Sequence, residues 1–127
     1  MIGRLSLAAG AAIALASVVP QQVEAQAAPG GDVLFRQRCQ TCHQVAAGKP
    51  SPIGPNLYGV VNRKAAAAPL PFKYSEALKK SGLTWTRANL DKYLAAPTKM
   101  VPGTRMVIAL PDAKQRAAVI DYLARAK

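Results

Sequence analysis

The sequence predicts a small all-α domain that follows an export signal. Apolar residues in the second half of the chain recur three and four positions apart, and no stretch alternates apolar with polar residues as a half-buried strand would. Between Gln44 and Lys73 five prolines interrupt the chain, which predicts a long loop. Removing a 27-residue signal from the 127-residue chain leaves about 100 residues, which is one small domain with a modest core.

Residues 1–27 have the composition of a secretory signal peptide. Arg4 supplies a positive start, an apolar run of about 15 residues follows, and small residues permit cleavage after Ala25 or Ala27. The apolar run is shorter than a membrane span of about 20 residues. We therefore expect residues 28–127 to form a periplasmic domain with no stable membrane insertion. A retained signal that serves as an anchor is the alternative.

The first helices are predicted from polar caps. Asp32 is placed to cap a first helix that carries Val33 and Phe35. After the proline-rich loop, Ser75 is placed to cap a short helix that ends at Gly82.

Two longer helices are predicted in the last third of the chain. Thr84 is a suitable cap for the first, whose buried face carries Leu90, Tyr93 and Leu94, and Pro97 is expected to stop it. A turn follows at Pro102-Gly103. Pro111 and Asp112 then open the last helix, whose predicted buried residues are Val119, Ile120, Tyr122 and Leu123.

The strongest chemical signal is the segment Cys39-Gln40-Thr41-Cys42-His43. Two thiols three positions apart, followed at once by an imidazole, form the attachment signature of a c-type haem. The thiols can form thioethers with the two vinyl groups of one porphyrin, and His43 can reach the iron. These are the chain's two cysteines and its one histidine. The long loop that follows can wrap the haem.

Other interpretations of this segment are weaker. A structural zinc site needs four nitrogen or sulfur ligands, and this segment offers three. A thioredoxin-like pair would lie in a strand–helix–strand pattern, which the surrounding sequence does not show. A disulfide between Cys39 and Cys42 would close a very short loop and stabilise little.

The opposite axial ligand of the iron is not fixed by the residues alone. A second histidine is excluded by composition, which leaves methionine, lysine, tyrosine, an amine, water or no ligand. Met106 is favoured over Met100 because it follows the turn Pro102-Gly103-Thr104-Arg105, which can return toward the haem. A thioether in that position raises the reduction potential relative to a second imidazole and leaves no open site for oxygen or peroxide. Such a protein carries electrons and is not an enzyme.

The chain is strongly basic. Seventeen lysines and arginines face six acidic residues, for a net charge of +11, and loss of the signal leaves this charge unchanged. Nucleic acid is not the expected partner, because the domain is exported and no basic run is interleaved with stacking aromatics. The charge favours docking to acidic surfaces on redox proteins or membrane respiratory complexes, with simple solubility as the alternative.

Taken together, these segments resemble the class I cytochrome c family over the whole mature chain. The resemblance implies the cytochrome c fold, with three main helices plus short helices and loops around one covalent haem. Gly54-Pro55-Asn56-Leu57-Tyr58-Gly59 resembles the family's proline loop, and Pro102-Gly103-Thr104-Arg105-Met106 resembles its ligand loop.

The resemblance also implies roles for individual residues. Cys39 and Cys42 would hold the haem, and His43 and Met106 would hold the iron. The Pro55 carbonyl would accept a hydrogen bond from His43. The propionates would be bound by Arg63, Tyr74 and Trp85, and the methionine sulfur would be surrounded by Tyr93 and Thr104.

The sequence departs from the family pattern at several positions. Leu78 occupies the family's inner asparagine site, and the stretch Ala65–Pro71 is particular to this chain. Thr98 and Asp112 stand where lysines are expected. Residues of the family's basic docking rim are matched by Arg38, Lys99, Arg105 and Lys114.

The predicted function is that of a monomeric, monohaem electron carrier in the periplasm. Its donor would be a quinol–cytochrome c reductase or a dehydrogenase, and its acceptor a terminal oxidase, a reductase or a photosynthetic centre. Two alternatives remain at this stage. One is a haem enzyme that binds a gas or peroxide at an open iron position, and the other is a dedicated subunit of one dehydrogenase.

Overall fold

The computed structural model describes residues 28–127, and the predicted signal peptide lies outside this range. Five helices occur in the described chain: α1 (Gly31–Arg38), α2 (Glu76–Lys80), α3 (Arg87–Ala95), α4 (Pro97–Met100) and α5 (Ala113–Arg125). The described residues contain no strand, only one antiparallel bridge between Lys64 and Thr84. The all-α prediction is confirmed for this range. Its helices are all too short or too polar to cross a membrane.

The first helix begins two residues earlier than a cap at Asp32 would place it. Gly30 is the N-cap, and Asp32 lies in the first turn, where it pairs with Arg36. The prediction that Asp32 caps α1 is therefore wrong. The physical reason is tertiary: Gly31 lies against the backbone of Ala118 in α5, so closely that a side chain at position 31 would collide with the Ala118 carbonyl.

The caps of α2 and α5 lie where the sequence predicts them. The Ser75 hydroxyl accepts a hydrogen bond from the Leu78 N–H, and the Asp112 carboxylate accepts one from the Gln115 N–H. Both side chains satisfy an N–H group that has no partner within its own helix. Just beyond α2, Gly82 has φ +64°, a left-handed conformation that favours glycine.

The start of α3 and the presence of α4 differ from the predictions. Thr86 caps α3 by accepting from the Asn89 N–H, whereas Thr84 is held extended by its bridge to Lys64. Pro97 does not only end α3, because it also occupies the first turn of α4. Proline is tolerated there, since the N–H that it lacks would have no helical partner.

The core lies where α5 packs against α1 and α3. Residues from the loops complete it, so the helices alone do not enclose the apolar interior. Leu90 and Tyr93 of α3 are buried as predicted, whereas Leu94 of α3 and Tyr122 of α5 are only half-buried. The buried apolar cluster consists of Leu34, Phe35, Val60, Trp85, Leu90, Tyr93, Val101, Leu110, Val119, Ile120 and Leu123.

Candidate cofactor site

A largely apolar cavity of about 440 Å³ lies at the centre of the domain. This volume lies in the range of small-molecule and cofactor sites. Its walls come from α1, α2, α3, α5 and the loops between them. The structure brings all ten site residues named from the sequence to these walls: Cys39, Cys42, His43, Pro55, Arg63, Tyr74, Trp85, Tyr93, Thr104 and Met106.

The two thiols lie on the turn that ends α1. The Cys39 N–H donates to Phe35 O at 2.8 Å, and the Cys42 and His43 N–H groups donate to Cys39 O at 3.0 and 2.9 Å. This tight turn presents both cysteines and the imidazole to one cavity. The cysteines are free thiols, not a disulfide. Burial raises the pKa of the Cys39 thiol to about 11, although the nearby Arg38 charge opposes this rise.

His43 is fixed by the proline loop. Its Nδ1 lies 2.7 Å from the Pro55 carbonyl oxygen. A carbonyl can only accept, so Nδ1 carries the proton and Nε2 of the neutral ring keeps its lone pair. Burial lowers the pKa of His43 despite the opposing effect of this hydrogen bond, which favours that neutral ring. The ring also packs against Gly54, where a Cβ atom would overlap it.

Asn56 organises the same loop, a role that was not among the predictions from the sequence. Its Nδ2 donates to the carbonyls of Ala46 and Lys49 at 2.8 and 2.6 Å, and its Oδ1 accepts from the Tyr58 N–H at 2.7 Å. The side chain is only 3% exposed. An asparagine directly after a proline in a loop is the sequence signal that could have indicated this role, because asparagine side chains often bond to nearby backbone in turns.

Arg63 places a half-buried positive charge beside the cavity. Its Nη1 donates to Tyr58 O at 2.9 Å and its Nη2 to Asn56 O at 3.0 Å. The Nε is buried and has no hydrogen-bond partner among residues 28–127. Burial lowers the pKa of Arg63, although interaction with Tyr74 opposes this change. A donor left without an acceptor fits a ligand with an anionic group.

Two aromatic residues form the wall near Arg63. The Tyr74 hydroxyl accepts from the Ala68 N–H at 3.2 Å, so it can still donate its own proton. Trp85 is buried, and its ring centroid lies 4.8 Å from that of Tyr93. The loop Ala65–Pro71 thus contacts the site through Ala68, a contact that the sequence analysis did not anticipate.

Met106 lies on residues 104–110, which we call the methionine strap. The strap is tied to α3 at two points: Thr104 Oγ1 lies 2.6 Å from the Tyr93 hydroxyl, and the Leu110 N–H donates to Leu94 O at 2.7 Å. Met106 is half-buried and lines the cavity. Met100 does not line it and packs against the apolar core instead.

The donor set of this cavity fits a haem. Two thiols, a neutral imidazole and a thioether meet at apolar walls, and the half-buried guanidinium of Arg63 has a free Nε–H for a carboxylate. Of the predicted basic rim, Arg38 and Arg105 line the cavity, whereas Lys99 and Lys114 are exposed but do not line it. Arg105 also donates to Lys73 O at 2.7 Å, joining the strap to the loop before α2.

Comparisons with known proteins agree with this site. The family description "Cytochrome c" matches residues 28–127. The chain is 47% identical to cytochrome c2 of Rhodomicrobium vannielii over 95 residues, which is 74% of each chain. It is 46% identical to cytochrome c type-1 of Ascaris suum over 94 residues, which is 73% of this chain and 82% of the relative.

A solved structure agrees as well. Cytochrome cH from Methylobacterium extorquens superimposes with a TM-score of 0.67 at 42% identity, covering 73% of this chain and 92% of that one. Members of the matched family are electron-transfer proteins with covalently bound haem c, and are not enzymes. The resemblance drawn from the sequence is thereby confirmed, and this chain belongs to the cytochrome c family.

Proposed function

We propose that this protein carries single electrons in the periplasm on one haem c, attached through Cys39 and Cys42 and ligated by His43 and Met106. Family membership supports the coarser statement, a monohaem electron carrier. The observation that carries the finer one is the convergence of two thiols, one oriented imidazole and one thioether on a single apolar cavity. A haem held there by these residues would supply one-electron chemistry between ferrous and ferric iron.

The chain's own residues prepare this site for electron exchange without rearrangement. Pro55 fixes the His43 ring, and the two ends of the strap hold Met106 from α3. Leu90, Val119 and Leu123 exclude water from the inner wall. Arg63, Tyr74 and Trp85 provide donors for the haem carboxylates. With both axial positions taken by side chains, we expect no open position for a gas or peroxide.

Docking of the protein to its redox partners is expected to be electrostatic. Arg38 and Arg105 at the cavity suit an acidic partner, such as a quinol–cytochrome c reductase or dehydrogenase as donor and a terminal oxidase as acceptor. Periplasmic location rests on the predicted signal at residues 1–27. The mass of the mature protein from its native host tests this location, because cleavage after Ala25 or Ala27 and a retained signal give three different masses.

The visible spectrum tests the haem and its ligands. We expect sharp c-type bands on reduction and, in the oxidised protein, the weak long-wavelength band of a sulfur–iron bond. Met106→Ala should abolish the sulfur band and allow carbon monoxide to bind the reduced protein at neutral pH. Met100→Ala is the matched control and should retain the band. Loss of the band in Met100→Ala alone would contradict the assignment of Met106.

A further inference from the structure

Arg116 of α5 has a contact pattern that the proposed function does not use. Its side chain is only 11% exposed. Its Nε donates to the Asp91 carboxylate of α3 at 2.7 Å. Its Nη1 lies 3.1 Å from Leu110 O and 2.7 Å from Pro111 O, at the end of the methionine strap. One guanidinium therefore joins two helices and the strap.

The strap has few other attachments near this end. No backbone hydrogen bond in the described chain is made by residues 105–109, and the next backbone bond is that of Leu110 to Leu94. Val107 and Ile108 are exposed, so side-chain packing does little to fix the position of the strap at these residues. The position of Met106 therefore depends on Thr104 and Arg105 before it and on the Leu110–Pro111 end after it. Arg116 contacts both carbonyls of that later end.

We propose that Arg116 is a positioning residue for Met106. By holding the Leu110 and Pro111 carbonyls against α3 and α5, it keeps the strap closed and the thioether at the iron. This inference rests on the proposed ligation by Met106. Arginine suits the task because its planar fork donates in several fixed directions at once, whereas a lysine ammonium acts as a single compact charge.

A second ion pair provides a matched control. Arg87 of α3 pairs with Asp121 of α5, so it joins the same two helices, but it contacts no strap residue. Its two side chains are 56% and 55% exposed. Removing this pair should loosen the α3–α5 contact slightly and leave the strap as it is.

The test measures how often the strap opens in the haem-loaded protein. Imidazole, added to the oxidised protein, reaches the iron only when Met106 has left it, so its apparent affinity rises with the open fraction. We expect Arg116→Gln to bind imidazole about tenfold more tightly, the size that loss of a charge-assisted hydrogen bond gives. Its sulfur band should weaken. Arg87→Gln should stay within about twofold of the wild type.

Two further variants keep the test decisive. If Arg116→Gln does not fold, Arg116→Lys keeps the charge but loses the fork, and it should show the same increase more weakly. Asp91→Asn should also increase imidazole affinity, because it weakens the contact that orients the guanidinium. Denaturant unfolding of each variant separates strap opening from global stability.

The possible results separate the positioning role of Arg116 from the proposed ligation of the iron by Met106. An unchanged imidazole affinity in Arg116→Gln, with a sulfur band present in the wild type, overturns the role of Arg116 alone. An equal increase in Arg116→Gln and Arg87→Gln also overturns it, because the effect would then come from general loosening. A wild type without a sulfur band overturns the ligation by Met106 and this inference together.

Discussion

Gly54 is the residue at which the proline loop touches the imidazole of His43. A Cβ atom at this position would overlap the ring. The ring cannot yield without changing its 2.7 Å contact with the Pro55 carbonyl. The absence of a side chain at position 54 is thus a condition for the orientation of His43.

We predict that Gly54→Ala disturbs the iron site and destabilises the fold by about 1–3 kcal/mol, the usual effect of overpacking. Gly48→Ala is the control. It lies in the same loop with φ +69° and open space around it, so it adds only backbone strain of about 1–2 kcal/mol. Visible spectra and thermal unfolding of the haem-loaded variants check this. Identical spectra in both variants and the wild type would count against the contact.

Tyr93 and Thr104 form a buried pair that ties the strap to α3. Their oxygens lie 2.6 Å apart, and both residues are buried. We predict that Tyr93→Phe lowers the free energy of unfolding by about 1–3 kcal/mol, because it leaves the Thr104 hydroxyl buried without its partner. The double variant Tyr93→Phe/Thr104→Val removes both polar groups and should recover part of this loss. Denaturant titration measures both.

The contribution of the Tyr93–Thr104 pair to stability should depend on pH. Burial raises the pKa of Tyr93 above its ordinary value of 10.0, although the hydrogen bond with Thr104 opposes this rise. The unfolded chain therefore ionises first, so this contribution to stability is complete below pH 10 and is lost as pH rises through the folded pKa. Above pH 10 the stability of Tyr93→Phe should fall less steeply than that of the wild type. Parallel curves would show that Tyr93 does not contribute.

At the scale of elements, Thr86 and Thr84 provide a direct comparison. Thr86 Oγ1 accepts from the Asn89 N–H at 3.1 Å, whereas the Thr84 backbone is part of a bridge. We predict that Thr86→Ala destabilises the protein by about 1 kcal/mol through loss of the α3 cap. Thr84→Ala should have a smaller effect. If denaturant unfolding shows a larger loss of unfolding free energy in Thr84→Ala than in Thr86→Ala, then Thr84 and not Thr86 caps α3.

These caps also show how far the sequence specifies the elements. Ser75 and Asp112 were predictable because each is a short polar side chain followed by a helical sequence with no competing contact. The absence of a cap at Thr84 could not be predicted, because it depends on distant partners. The Trp85 N–H donates to Arg63 O and the Asn62 N–H donates to Trp85 O, which keeps this segment extended. Such pairing joins residues more than twenty positions apart, and local patterns do not contain it.

The same distinction applies to the candidate site. Its cysteines, His43 and Met106 could be identified because their chemistry is carried by local motifs. Arg116 could not, since its partners Asp91 and Leu110 come from other segments. The available signal was its spacing of three and four residues from Val119 and Ile120, which places a charge on the buried face of α5.

At the scale of the whole molecule, the described acidic residues are each matched locally. Four form ion pairs, and the fifth caps α5. Among residues 28–127, no aspartate or glutamate lines the cavity, whereas Arg38, Arg63 and Arg105 do, so we expect a positive potential there. The five acids are Asp32, Glu76, Asp91, Asp112 and Asp121.

We predict that Arg38→Glu slows oxidation of the reduced protein by the anionic complex hexacyanoferrate(III), by roughly threefold or more at low salt. Lys92→Glu changes the net charge equally but lies on α3 outside the cavity lining, so its effect should be smaller. The difference between the two variants should vanish at high salt. Equal rates at low salt, measured by stopped-flow absorbance, would show that Arg38 does not influence electron transfer at the cavity.

The contact between α1 and α5 has a consequence for the order in which the molecule is assembled. The two helices come from opposite ends of the described chain, and Gly31 meets its partner only at Ala118. The wall of the cavity that α5 supplies through Val119 and Leu123 therefore cannot form until almost all of the chain has been synthesised. In a growing chain Cys39 and Cys42 are thus more exposed than in the folded domain, where both are half-buried.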